Sequence, residues 1–365
     1  MSTIKLGISK YRNNDGISCY VNSILHIMQQ LPLFSDYLIS GKFLNIIKNK
    51  INNNINIKTF VIYELYRLFK LSYENDNINI TPDTFKKLIG TKNEIWAELE
   101  QQDSQEFYIF LISQLEEDLG IDVEFIPNIN FSKIESDKLE SDKLESEIYK
   151  LLFLRKYYDN VKNNFSIIKE LFIGSTSSNI ICEFCKSCSP NFEDFITLSI
   201  DLPNTTKNLS LNECLEYTLK DEQLDKNNKI YCEFCGLKNK STKQIKLFKT
   251  PTILAIHLKR FKVNNYGIQT AKITNNITYP IENFNIEKFF DKDSPYKETS
   301  KYNLVGVNIH EELAYKSVDV GHYTSIVKNR YDNKWYLFND SNEPKKLDIK
   351  KVQNKNAYML FYFKQ

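Results

Sequence analysis

The chain has 365 residues, 42% of them hydrophobic, with 48 basic and 46 acidic side chains and a net charge of +2. That is enough apolar material for a full core in one large domain or two, and so even a charge balance sets up no field for nucleic acid. No apolar stretch approaches a membrane span, the start Met1-Ser2-Thr3-Ile4-Lys5 is no secretory signal, and seven cysteines fit reduced thiols in an intracellular compartment.

The first element follows the run Asn14-Asp15-Gly16-Ile17-Ser18-Cys19-Tyr20-Val21-Asn22-Ser23. Tyr20, Val21, Ile24, Leu25, Ile27, Met28 and Leu31 recur at helical spacing and stop before Pro32, which predicts a helix with Cys19 at its start. Unpaired N–H groups there favour a thiolate, and a free thiol with a pKa of about 8.5 needs such help to be nucleophilic at neutral pH. A buried structural thiol is the plainer alternative.

Residues 55–120 read as mostly helical: Phe60, Tyr63, Leu65, Tyr66, Leu68 and Phe69 recur at threes and fours, and so do Phe107, Phe110, Leu111 and Leu115. Beyond them Glu-Ser-Asp-Lys-Leu occurs twice in tandem from Glu135 to Leu144, and residues 135–147 carry a balance of −4. Five residues turn a helix about 140° past one turn, so Ile134, Leu139 and Leu144 cannot share a narrow stripe. The segment 121–165 is therefore expected to be an insertion, solvated over its acidic repeat, ending in a helix packed through Leu144, Ile148, Leu151 and Leu152.

Residues 170–280 alternate more, with strand-like runs at Phe195–Ile200 and Thr252–His257. Cys182-x-x-Cys185 and Cys232-x-x-Cys235 stand 46 residues apart, and four thiolates suit a tetrahedral metal. Cys188 lies three residues beyond Cys185 and competes for the count, whereas Cys214 falls in a stretch expected to be a core helix. Near the end, Val320 to Val327 alternates around His322, Asn329 to Lys334 signals a turn, and Trp335 to Phe338 reads as the returning strand. A turn centred between Arg330 and Tyr331 would set His322 opposite Asn339, whereas one at Asp332-Asn333 would break that register. His26, His257 and His310 are expected to pack or lie at the surface. Helices first and strands later make an α+β pattern with a cleft between lobes.

This order of motifs resembles the ubiquitin-specific proteases, papain-like cysteine deubiquitinases whose opening box reads Asn-x-Gly-Asn-Thr-Cys-Tyr-x-Asn-Ser. Asn14, Gly16, Cys19, Tyr20, Asn22 and Ser23 match it, while Ile17 and Ser18 replace the usual Asn and Thr. The stretches Gln101–Phe107, the two cysteine pairs, His257–Phe261, His322–Asp340 and Ala357–Tyr362 follow in family order. The resemblance implies one catalytic domain over 5–365: a helical thumb (5–120), the insertion (121–165), zinc-ribbon fingers (166–250) and a β-rich palm (251–365). It implies Cys19 as nucleophile, His322 as general base, Asn339 as its orienter with Asp340 as the rival, and Asn14 as an oxyanion donor. Gln102, Asp103, Glu106 and Tyr323 would face ubiquitin. Cys182, Cys185, Cys232 and Cys235 would hold one structural Zn²⁺, with no catalytic cofactor.

The implied activity is thiol-dependent hydrolysis of the bond after the C-terminal glycine of ubiquitin, with ubiquitin and ubiquitinated proteins as partners and neither nucleic acid nor membrane. The alternatives are action on another ubiquitin-like modifier and a catalytically impaired ubiquitin-binding scaffold.

Overall fold

The computed structural model describes residues 5–51, 56–124, 141–205, 207–263, 269–312 and 321–365. Helices dominate the first third: α1 (Cys19–Gln30), α2 (Phe34–Ile39), α3 (Phe43–Lys50), α4 (Val61–Glu74), α5 (Asp83–Lys92) and α6 (Ser104–Leu119). All twelve residues of α1 are buried. A helix enclosed on every side belongs at the centre of a large core, with other helices on one flank and a sheet on the other.

That sheet is the palm. Its strands run in the spatial order Lys345–Leu347, Trp335–Phe338, Gly321–Lys328, Lys301–Glu312, Ala357–Lys364, Ile253–Leu258 and Thr197–Ile200, with Phe284–Asn285 beside Lys301–Glu312. All pairs are antiparallel except the last two strands. The helix α1 lies against Gly321–Lys328 and Lys301–Glu312. The fully buried Asn308 fastens the layers, accepting from Ser104 Oγ of α6 (2.9 Å) and donating to Ser23 Oγ of α1 (2.8 Å). The other sheet face forms a second core with the helix Leu211–Thr218, which buries Cys214.

The fingers are a separate four-stranded sheet in the order Cys188–Phe195, Gly174–Cys182, Ser241–Lys249 and Glu222–Leu224. The expected single strand Phe195–Ile200 is divided at Ile196: Phe195 ends the finger strand and Thr197 opens the palm strand. A period-two pattern carries no mark of a strand leaving one sheet for another.

The helix Ser141–Val161 lies at the end of the insertion; the acidic repeat up to residue 140 and the side chain of Leu144 lie outside the described residues. Its packed face differs from expectation. Ile148 and Leu152 are exposed, and Tyr149, Phe153 and Tyr157 turn inward against Phe192 and Phe248 of the fingers. Ile121 and Phe165 form an isolated antiparallel bridge, with N–H···O distances of 3.0 and 2.9 Å, so the chain leaves and returns through one neck. Among the described residues no helix is long and apolar enough to cross a membrane.

Candidate active site

Cys19 is the first residue of α1 and is 1% exposed. Burial pushes its thiol up to about 11, over the opposing pull of the backbone N–H groups of Tyr323, Tyr20 and Cys19 itself, and the charge of Asp340 adds to the rise. The helix start alone therefore does not yield the thiolate that the sequence suggested: desolvation outweighs the N–H groups. Gln101 Nε2 stands 3.7 Å from the sulfur, and Gln101 Oε1 accepts from the N–H of Gly321 at 3.2 Å. One amide thus bridges Cys19 and the residue before His322. Gly321 has no room for a side chain, since a Cβ there would stand 2.0 Å from His310 Nε2.

His322 Nε2 lies 2.8 Å from Asn339 Oδ1. The hairpin that joins them is not in the expected register. Ser325 faces Phe338, so its centre falls between Tyr331 and Asp332. The Asn329 side chain sets this turn by accepting from the N–H groups of Tyr331 (3.0 Å) and Asp332 (3.1 Å), and Asn333 takes a φ of +58°. His322 and Asn339 therefore meet as diagonal neighbours at the end of the ladder, a distance that long side chains can span. Asp340, at φ +47°, is turned elsewhere: it accepts from Asn22 Nδ2 at 2.8 Å and Asn13 Nδ2 at 2.9 Å.

The loop before Cys19 turns at Gly16, whose φ of +74° suits glycine. Asn14 is exposed, and its side chain has no hydrogen bond among the described residues. Its neighbours do. Asn13 Oδ1 accepts from Ser18 N (3.0 Å), and the Asp15 carboxylate takes Ile17 N (3.0 Å), Ser18 N (3.0 Å), Ser18 Oγ (2.7 Å) and Lys86 Nζ.

Of the four expected substrate contacts, two are turned inward. Asp103 caps α6, accepting from the N–H of Gln105 (2.6 Å) and of Glu106 (3.4 Å), and also binds the Tyr358 hydroxyl; burial raises its pKa. A carboxylate at a helix start satisfies otherwise unpaired N–H groups, and this explains its orientation. Tyr323 is buried, with its ring 4.6 Å from that of His310 and 6.0 Å from that of Tyr358. Gln102 is half-buried, and Glu106 is exposed with its pKa raised by burial and by Asp103. The other histidines pack as expected. Burial lowers His26 to about 3 and, with the Lys259 charge, His257 to about 4; burial, Lys272 and His322 lower His310 to about 3.

Cys182, Cys185, Cys232 and Cys235 converge at the finger tip, their sulfurs all within 4.8 Å of one another. Cys185–Cys232 and Cys182–Cys235 are 3.6 and 4.0 Å apart. A tetrahedron of thiolates at about 2.3 Å from a zinc ion has edges of roughly 3.8 Å, so this donor set fits such an ion. Cys188 pairs with Ile181 in the strand ladder and stays outside the cluster. The Ser187 hydroxyl and the Cys235 N–H pull Cys232 down to about 6, while burial and the adjacent thiols push Cys235 up to about 11. Four cysteine sulfurs this close together would repel one another as thiolates, and a dication would offset that repulsion.

The sequence reading gave no role to Gln101, Asn13 or Lys86. Gln101 stood inside a motif already noted. Lys86 had no signal at all, because its role depends on a fold-made contact 71 residues away.

The family model described as ubiquitin carboxyl-terminal hydrolase matches residues 12–362. Human ubiquitin carboxyl-terminal hydrolase 2 is 26% identical over 358 residues, covering 98% of this chain and 55% of its own length. Ubiquitin carboxyl-terminal hydrolase 4 of Saccharomyces cerevisiae is 29% identical over 375 residues, covering 96% and 38%. The chain thus spans about half or less of the length of these relatives. Among solved structures, a SAGA Ubp8/Sgf11/Sus1/Sgf73 DUB module bound to ubiquitin aldehyde superposes with a TM-score of 0.71 at 22% identity, covering all of this chain and 71% of that one. A yeast SAGA DUBm structure gives the same TM-score at 23% identity, covering all of this chain and 70% of that one. At such identity the likeness establishes the fold.

Proposed function

The chain belongs to the ubiquitin carboxyl-terminal hydrolase family, and from that premise we propose that it is an intracellular thiol deubiquitinase acting on ubiquitin and ubiquitinated proteins. The observation that carries the proposal is the meeting of distant segments: the Cys19 thiol lies under the N–H of Tyr323, the residue after His322, and His322 pairs with Asn339 at 2.8 Å.

His322 takes the proton of Cys19, and the sulfur attacks the carbonyl carbon of ubiquitin's last glycine. The negative charge moves to the carbonyl oxygen, facing the Asn14 amide and the Cys19 N–H. As the C–N bond breaks, His322 gives its proton to the leaving amine. Water then gives a proton to His322 and attacks the thioester, and the thiol leaves with that proton. Asn339 accepts from one ring nitrogen and keeps the other directed at sulfur. With a thiol at about 11, Cys19 rests protonated at neutral pH, so this proton transfer is a step of the reaction and not a prior condition.

Glu106 and Gln102 are the polar groups left to meet the basic tail of ubiquitin from the start of α6. The four clustered cysteines would hold one structural Zn²⁺, which supplies cross-linking of the finger tip and no chemistry at Cys19.

Hydrolysis of ubiquitin carrying a C-terminal fluorescent amide, run beside the same assay on ubiquitin-like modifiers, tests the reading. The expected result is turnover of ubiquitin that Cys19→Ala lowers by more than about a thousandfold while ubiquitin binding persists. Turnover of a modifier in preference to ubiquitin would reassign the substrate. The elevated thiol favours one second reading, a slow or impaired enzyme that binds ubiquitin. Ubiquitin bearing a C-terminal electrophile separates the two, since an impaired site would fail to form the Cys19 adduct.

A further inference from the structure

We propose that Lys86 is a positioning residue for the oxyanion-stabilising loop and acts through Asp15. The inference rests on the deubiquitinase reading above, in which Asn14 supplies an oxyanion donor.

A donor stabilises a developing oxyanion only if it is held in place before the charge appears. Asn14 is exposed, lies two residues from a glycine at φ +74°, and has no side-chain bond of its own among the described residues. Something else must hold it. On one side stands Asn13, whose Oδ1 takes Ser18 N and whose Nδ2 reaches Asp340. On the other stands Asp15, whose carboxylate gathers Ile17 N, Ser18 N and Ser18 Oγ, and so closes the loop on itself.

Asn13 ties its side of the loop to Asp340 in the palm, but the bonds of Asp15 to Ile17 and Ser18 shape the other side without anchoring it to the body of the protein. Lys86 does that. Its ammonium binds Asp15 and also Ser18 Oγ, the residue before the nucleophile. The Lys86 and Asp15 side chains are only 16% and 27% exposed, which spares the pair much of the screening that weakens surface ion pairs. Lys86 is itself rigidly based, because α5 buries Phe85 and Ile89 completely on either side of it. Burial works against the Asp15 carboxylate, yet Lys86, Ser18 and the Ile17 N–H hold it down to about 2, so Asp15 stays ionised at any pH at which hydrolysis would be measured. A charge-assisted bond from a fixed helix thus fixes the segment that follows Asn14 at two points, Asp15 and Ser18.

The test compares Lys86→Met, Lys86→Arg, Asp15→Asn and the double variant Asp15→Asn/Lys86→Met. Three readouts are taken: hydrolysis of ubiquitin carrying a C-terminal fluorescent amide, affinity for ubiquitin aldehyde relative to ubiquitin, and alkylation of Cys19 by iodoacetamide. The aldehyde adds the thiol across its carbonyl, so its oxygen sits where the oxyanion forms, whereas alkylation makes no oxyanion. Lys86→Met is expected to lower kcat about tenfold or more with KM within about twofold, and to weaken aldehyde binding by a similar factor. Alkylation should be unchanged, Lys86→Arg should recover most of the activity, and the double variant should be no worse than the poorer single. Activity of Lys86→Met within about twofold of wild type overturns the inference, and so does an equal loss in alkylation, which would mean general damage to the site. If Lys86→Met fails to fold, Asp15→Asn, with its near-equal shape, is held to the same two criteria: activity near wild type, or an equal loss in alkylation, overturns the inference. An inactive wild type would overturn the deubiquitinase reading and this inference with it; an active wild type with an unaffected Lys86→Met would overturn this inference alone.

Discussion

Asn339 and Asp340 are adjacent in sequence but serve different partners, because the left-handed backbone at Asp340 turns its side chain away from that of Asn339. Asn339 faces His322, and Asp340 faces Asn13 and Asn22 in the segment that carries Cys19. Asn339→Ala is therefore expected to lower kcat by about 10²-fold or more, through loss of ring orientation. Asp340→Ala should cost less in kcat but more in melting temperature, since it removes two hydrogen bonds to a carboxylate, from Asn13 and Asn22, each worth about 1.5–3 kcal/mol. Steady-state kinetics and thermal unfolding of the two variants check this. The reverse order in kcat would give the orienting role to Asp340. Residue types at the site were legible from sequence, but the division of labour between these two was not. It is set by one backbone angle and by an asparagine, Asn13, that no motif marks.

At the scale of elements, helices were easier to read than their faces. The periodicity of Ser141–Val161 allowed an aliphatic stripe or an aromatic one, and the choice fell to Phe192 and Phe248, partners that only the folded finger sheet brings near. The hairpin after His322 was legible as a hairpin, but its register was decided by the Asn329 side chain. The finger tip is a different case, because it has almost no core. Phe184, Tyr231, Phe234 and Leu237 are all at least 50% exposed, so apolar burial cannot hold the two cysteine turns together. The free energy of metal binding should then be local folding free energy. Protein purified without chelator is expected to carry one zinc per chain by elemental analysis, and chelation should abolish hydrogen-exchange protection around Cys182–Cys185 and Cys232–Cys235 before the palm melts. Zinc absent from such protein would end the proposal, and its retention in Cys185→Ser but not in Cys188→Ser would exchange one ligand.

For the whole molecule, the α+β class could be read along the chain, because the helix-rich and strand-rich stretches have different hydrophobic periods. What could not be read is how the palm sheet brings Gly321–Lys328 against α1, since that depends on strand order and not on any local pattern. The same architecture bears on the acidic repeat. Replacing residues 132–140 by a short Gly-Ser linker should leave kcat/KM on a minimal ubiquitin substrate within about threefold, a change under about 1 kcal/mol. A far larger loss in that assay would make the segment part of the cleft.

The neck at Ile121 and Phe165 has an evolutionary meaning as well. With departure and return fixed by one bridged pair, lengthening the excursion by five residues alters its closure cost by only about 0.1 kcal/mol. A slip during replication that copies Glu-Ser-Asp-Lys-Leu once more is then nearly silent to selection on folding. The tandem repeat can be understood as a record of such drift, kept where the architecture has no means of noticing it.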